Sequence, residues 1–529
     1  MHFKKTFAIV FLVLTVGLLI QCNSSTTKTD AAEKPEVFSN SDVVKGQGLA
    51  AVYCQSCHQL PDPSLLDKIT WRNHVLPEMG LYLGVNSAAS RGRLISPEDD
   101  AYYQPSKPAV DSTQWNQIKA YFIAKAPEHL PVPQRTEPIH KLPIFEITPA
   151  PADWVTTRSI TSVVKIDTTV VPHRLIVGNG LTNQLIVLND KLQTLSATVT
   201  EGPIVNLLYK KNRIIATTIG KDIWASNLKN GTVREIKIDK NGVVKPADQP
   251  IFHNLGHPLS TDMLDLNQDG KDDYLIAQFG KQEGRLSWVE GLQSHNVKEH
   301  VLRDKPGCIE TRITYDNPQK RPDIWALFAQ GDEGIFLYTN KGKGNFEERK
   351  VLGFPPIYGS NFFDLVDFNG DGFKDIIYIS GDNGDYSDIP KPYHGIYIYL
   401  NDGKNNFTKK FFYPMNGCYK AILKDFDGDG DLDIAAISEF PSPKTPWENF
   451  IYLENKGGDF NYQAYTMPLH TPLRTVMTMD AGDIDGDGKT DLILGNGWAA
   501  SDVNGPDKQP LFYVLKNISP TAGKHVTSK

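Results

Sequence analysis

The feature that most constrains this chain is a nine-residue pattern written four times: DLNQDGKDD from Asp265, DFNGDGFKD from Asp367, DFDGDGDLD from Asp425 and DIDGDGKTD from Asp483. Each copy has oxygen-bearing side chains at positions 1, 3, 5 and 9, glycine at position 6, and an apolar run directly after it. Alternate side chains of a tight turn converge on one point, a main-chain carbonyl at position 7 adds an oxygen, and glycine permits the sharp bend. Hard oxygen ligands at this density suit Ca²⁺, since Mg²⁺ keeps more water and demands stricter octahedral geometry. The expected ligands are Asp265, Asn267, Asp269 and Asp273; Asp367, Asn369, Asp371 and Asp375; Asp425, Asp427, Asp429 and Asp433; and Asp483, Asp485, Asp487 and Asp491, with main-chain oxygen from Lys271, Phe373, Asp431 and Lys489. The third loop crowds aspartates at alternate positions, and their repulsion costs stability unless a cation relieves it. The plainer reading makes all four ordinary polar turns between strands. An EF-hand is excluded, because the flanking helices and the glutamate at position 12 are missing.

From about residue 145 the chain consists of short runs of Val, Ile, Leu, Phe and Tyr separated by Gly, Asn and Asp turns, an all-β pattern. Its period gives seven units, at about 158–200, 203–240, 258–302, 308–352, 359–413, 416–466 and 472–518. Units one, two and four lack the aspartate loop, although YDNPQKRPDIW from Tyr315 keeps a remnant. The loops and the strands after them, such as GIFLYTNKGKGNFEERKVL, resemble the FG-GAP or VCBS repeats of integrin-like β-propellers. That resemblance implies a propeller of seven four-stranded blades over residues 145–518, followed by a tail at 519–529. The segment PIFEITPA near residue 145 can supply the outer strand of the last blade and close the ring. Polar residues leading into the inner strands, His257, Asp262, Glu310, Arg312, Asn361, Tyr419, Lys420 and Arg474, are candidates for a mixed-charge ligand funnel, or else contacts between blades. Cys308 and Cys418 fall at equivalent places in units four and six, and a disulfide across the channel mouth is a further expectation, though a geometrically demanding one.

The amino-terminal part differs in kind. AVYCQSCHQLPDP places Cys54, Cys57 and His58 in a Cys-x-x-Cys-His motif. Two thiols at this spacing can each add to a porphyrin vinyl group, and the adjacent imidazole reaches the iron. A zinc site would need a second pair of ligands, and a thioredoxin-like pair would need a surrounding βαβ pattern; neither appears in the sequence. Before the motif, Ser41 or Asp42 caps a helix with Val44, Leu49, Val52 and Tyr53 as a patchy apolar face. After it, Asp111 or Ser112 caps a second helix that places Trp115, Ile118 and Phe122 on one face and stops at Pro127. Two helices bracketing the motif resemble a small all-α cytochrome c domain over residues 41–130. The resemblance implies covalent haem c and a methionine as sixth ligand, for which Met79 is the only methionine of the segment and His74 the rival.

Residues 131–144 form a proline-rich linker, so the chain is multidomain: a cytochrome-like domain, then the propeller. Residues 1–22 join Lys4 and Lys5 to an apolar run from Phe7 to Ile20, the anatomy of an export signal. As a helix that run spans roughly 21 Å, short of the ~30 Å bilayer core. Cys22, followed by a polar tether over 23–40, resembles a bacterial lipoprotein lipidation site, with Gln21 where the lipobox has a small residue and plain cleavage as the alternative. Either way the expected place is the cell envelope, periplasmic or at the outer membrane. Five cysteines are too few for a disulfide scaffold, and a net charge of -7 gives no basic excess for nucleic acid.

Three functions fit these features. The first is an exported haem c electron-transfer protein with a calcium-binding propeller as platform, served by a redox partner protein or a small-molecule reductant. The second is a periplasmic sugar or alcohol dehydrogenase whose propeller passes electrons to the tethered haem. The third is an integrin-like binding module. No phosphate loop, nucleophile elbow or catalytic zinc motif is present, so no catalytic residue can be named from sequence.

Overall fold

The computed structural model describes residues 38–85, 105, 107–156, 160–221, 223–224, 227–291, 298–382, 387, 389–458, 460–468, 475–497 and 508–520. The export signal, Cys22 and Arg474 lie outside the described residues. Residues 40–529 form one compact unit. Among the described residues no helix is long and apolar enough to cross a membrane.

Seven antiparallel sheets follow one another along the chain as the blades of a propeller. Their inner strands are Thr161–Asp167, Ile204–Lys210, Pro258–Leu264, Cys308–Thr314, Ser360–Val366, Cys418–Lys424 and Val476–Gly482. Each inner strand touches the next, and the seventh touches the first. The ring closes as the sequence suggests: Phe145–Pro149 pairs with Phe512–Asn517 as the outer strand of blade 7, with Ile147 opposite Leu515. Blade 2 differs from the expected unit. The Asp239–Gly242 turn reverses the chain, and two short strands, Val244–Pro246 and Phe252–Gly256, share the outer edge of Lys229–Ile238, so the blade runs past residue 240.

All seven inner strands carry a register shift after their first residue, for example between Cys308 and Glu310 and between Cys418 and Lys420. A bulge at a constant place bends each strand identically, as a regular ring requires. Between neighbouring blades lie seven apolar cores, one per interface. Each fully buried Leu, Ile or Phe there contributes roughly 1.5–3 kcal/mol. Cys308 and Cys418 belong to two different cores, are fully buried, and are free thiols, so the disulfide across the mouth is not formed.

The helical segment is built on two helices, Asn40–Tyr53 and Ser112–Lys125. Asp111 caps the second in a full capping box with Gln114, and Trp115, Ile118 and Phe122 are buried as expected. The first helix corrects the expectation. It starts at Asn40, so Asp42 lies in the first turn and accepts from Gln117 Nε2 at 3.1 Å. Val44 and Val52 are exposed, and the buried face is Val43, Gly46 and Ala50. Small residues are needed there because the helices cross closely: a Cβ on Gly46 would lie 1.9 Å from the Gln117 carbonyl oxygen. Between them, Lys68–Thr70, a π-helical Trp71–Val75 and Leu76–Tyr82 follow without a break. Trp71 packs on Phe122 at 4.4 Å and donates Nε1–H to the Pro63 carbonyl at 2.8 Å.

Candidate functional site

The aspartate loops share one hydrogen-bond plan. Position 1 accepts from the main-chain N–H of positions 5 and 6, position 3 from position 5, and position 5 from position 7, as in Gly430 to Asp425 at 3.0 Å and Asp431 to Asp429 at 2.9 Å. Gly270, Gly372, Gly430 and Gly488 at position 6 all have φ between +86° and +101° with open space around them, so backbone conformation and not crowding calls for glycine. In blades 6 and 7 the carboxylates of positions 1, 3 and 9 converge: ligand atoms of Asp425, Asp427 and Asp433, and of Asp483, Asp485 and Asp491, lie within 4.8 Å of one another. In blades 3 and 5 position 3 is Asn267 or Asn369, whose amide oxygen can take the same role.

Position 9 does a second job that the pattern did not reveal. Asp273, Asp375, Asp433 and Asp491 are buried, each begins the second strand of its blade, and each accepts two main-chain N–H bonds. For Asp433 these come from Phe426 at 3.1 Å and Asn455 at 2.8 Å, stapling the loop to the third strand. The signal lay in the sequence, as an aspartate at the mouth of an apolar strand. At the equivalent place blade 4 has Asp323, which accepts from the Asn317 amide at 3.0 Å, while blades 1 and 2 have arginines. Arg174 pairs with Asp167 at 2.7 Å and Arg213 with Glu235 at 2.8 Å. Where the loop is missing, a protein donor stands beside the carboxylate. Where it is present, carboxylates face carboxylates: burial first, then neighbouring Asp433, pushes Asp427 up to about 6, and burial with Asp485 and Asp487 pushes Asp491 up to about 6. Lys516 already sits on Asp485, a resident competitor for any ion in blade 7.

Most of the described funnel candidates are engaged by residues of their own or a neighbouring blade. Arg312 of blade 4 reaches Asp364 of blade 5 at 2.8 Å and Glu310 at 2.6 Å. Thr311 donates to Asp262 at 2.6 Å, Asn361 Nδ2 to the Cys418 carbonyl at 2.9 Å, and Lys420 Nζ to the Met479 carbonyl at 2.9 Å. Lys165 and Asp480 join blades 1 and 7 at 3.2 Å. These groups fasten adjacent blades, and His257 is buried. Burial holds Lys420 below and Asp262 above their ordinary ranges.

The Cys-x-x-Cys-His motif leaves the end of the first helix through a short 3-10 turn, Cys54–Ser56. Both thiols are free. Burial, and then Cys57, pushes the Cys54 thiol up to about 11, whereas Cys57 is exposed. His58 Nδ1 lies 2.9 Å from the Gln59 carbonyl oxygen. A carbonyl can only accept, so Nδ1 carries a proton, and in the neutral ring Nε2 is the nitrogen left to bind a metal. Beside the motif opens a cleft of about 680 Å³, with Gln55 to Gln59 on one wall and Arg303, Lys305, Phe328 and Gln330 of the propeller on the other. Cys57 and His58 line that cleft and Cys54 stands just outside it, and two free thiols with an adjacent imidazole are the donor set a covalently held haem would need. Neither Met79, half-buried in Leu76–Tyr82, nor His74 lines that cleft. The propeller wall was invisible to sequence reasoning, because it lies some 250 residues downstream and no local pattern marks it.

Further contacts join the segment to the propeller. Tyr393 Oη donates to the Leu65 carbonyl at 3.1 Å, and the linker bridges blade 6 through Ile139 and Ala464 at 2.9 Å.

The family described as FG-GAP-like repeat matches at residues 319–378, 367–436 and 425–494. Each match runs from one blade into the second strand of the next, across the loop that begins at Asp367, Asp425 or Asp483. No curated protein matches the chain. Fold and repeats together define a seven-bladed β-propeller carrying FG-GAP-like repeats, with a few short helices ahead of it.

Proposed function

We propose that this chain is an exported electron-transfer protein. Cys54, Cys57 and His58 hold a covalent haem c, and the propeller, carrying Ca²⁺ at its aspartate loops, is the platform for a redox partner protein or a small-molecule reductant. When bound, haem supplies one-electron exchange between ferric and ferrous iron. The chain's own part is to present two thiols for attachment, to fix the His58 ring by its bond to Gln59, and to shield the site with the propeller wall. The observation that supports the reading is the cleft beside the motif, lined by Cys57 and His58 on one side and by the propeller on the other. Met79, the sixth ligand that the resemblance implies, stands outside this cleft, and the proposal assigns no sixth ligand. Lipidation at Cys22 would hold the protein at the envelope, with that residue as the mature amino terminus.

Intact mass under denaturing conditions tests attachment. The wild-type chain, expressed with a haem-attachment system, should keep one haem through acid extraction, and the Cys54→Ala, Cys57→Ala double variant should lose it. Haem retained by the double variant would sink the proposal.

A further inference from the structure

We infer that the segment joining blade 3 to blade 4 is the charge-bearing wall of the haem site and that Lys305 raises the reduction potential there; this rests on the haem reading above. Opposite Cys57 and His58 the wall presents Arg303, Lys305, Phe328, Gln330 and Asp332. Arg303 is spent on its neighbours. It pairs with Asp332 at 2.9 Å and Glu348 at 2.6 Å, and its guanidinium lies over Phe328 at 5.0 Å and Phe336 at 4.1 Å. Lys350 also pairs with Asp332. Asp304, next in the chain, is held by Arg285 at 3.7 Å.

Lys305 is exposed and makes no ion pair among the described residues. Of the charged propeller residues that line the cleft, two are cations, Arg303 and Lys305, and one is a carboxylate, Asp332, which Arg303 already pairs, so the unpaired positive charge there is that of Lys305. A fixed positive charge beside an iron site disfavours the ferric state, which has one more positive charge than the ferrous, and so raises the potential. The propeller is thereby more than a docking surface: anything anionic that binds beside Lys305 cancels this charge and lowers the potential.

The test is a spectroelectrochemical titration of the full holoprotein in three variants. Lys305→Glu should lower the midpoint potential, Lys305→Gln should lower it by about half as much, and Lys237→Glu on the outer part of blade 2 should leave it in place. The shifts should shrink as salt is added. Haem present with all three potentials equal overturns this inference and leaves the haem reading standing. A wild-type chain carrying no haem at Cys54 and Cys57 removes both.

Discussion

Glu333 keeps a proton that a surface glutamate would lose. Burial pushes its carboxyl up to about 8, against bonds from Ser360, whose Oγ lies 2.7 Å from both Glu333 and the Tyr378 hydroxyl. In the unfolded chain the group titrates near 4.3. Between about pH 4 and about pH 8 the folded state therefore binds a proton that the unfolded state releases, and stability falls as pH rises through that window. Glu333→Gln keeps the shape and removes the titration. Its melting temperature, set against wild type from pH 5 to pH 8, should show a flatter decline; parallel curves would mean that Glu333 is ionised and otherwise compensated. None of this was legible in EGIFLY, because a glutamate before an apolar strand is usually a surface group and only the closure of blade 5 over blade 4 buries it. The aspartate loops were legible, because their hydrogen bonds are made within nine residues. Met79 was not placed by its sequence, since a ligand is defined by what it faces across the fold.

The linker shows the same division at the level of elements. Its prolines imply an extended connector, but composition says nothing of where it docks. Arg135 drives it into blade 6. The guanidinium pairs with the fully buried Glu448, donates to the Pro414 carbonyl at 2.6 Å and lies 4.8 Å from the Trp447 ring centre, while Asn416 donates to the other Glu448 oxygen at 2.6 Å. Replacing both partners by apolar groups can be nearly neutral, but removing one leaves a buried charge unpaired. Arg135→Ala should cost about 3–5 kcal/mol in denaturant unfolding, and adding Glu448→Gln should recover part of that loss. A single variant as stable as wild type would show that water reaches Glu448. Blade 2 failed to match its expected length for a related reason: its outer edge is assembled from two short strands beyond the Asp239–Gly242 turn, and the second of them pairs with Lys229–Ile238 through register shifts.

Across the whole molecule, stability is shared. Each blade buries one face against the blade before it and the other against the blade after it, and Phe145 ties the first described strand into the core between blades 6 and 7. Such a ring has no free end at which unfolding can begin. The aspartate loops sit in blades 3, 5, 6 and 7, and the position-9 carboxylate already holds the loop to the third strand in blades 5, 6 and 7, and to Gly291 just past that strand in blade 3, through main-chain hydrogen bonds. A cation would therefore bind a loop that is folded without it, and would relieve repulsion rather than create structure. Ligands that bind only the folded chain stabilise it by about 2.7 kcal/mol per site at a hundredfold excess over Kd. Chelation should accordingly shift one cooperative melting transition downward, and added Ca²⁺ should restore it. If the loops were instead independent folding units, calorimetry of the chelated protein would show an early transition for blades 5 to 7 ahead of the rest. A melting profile indifferent to both chelator and Ca²⁺ would reduce the loops to turns.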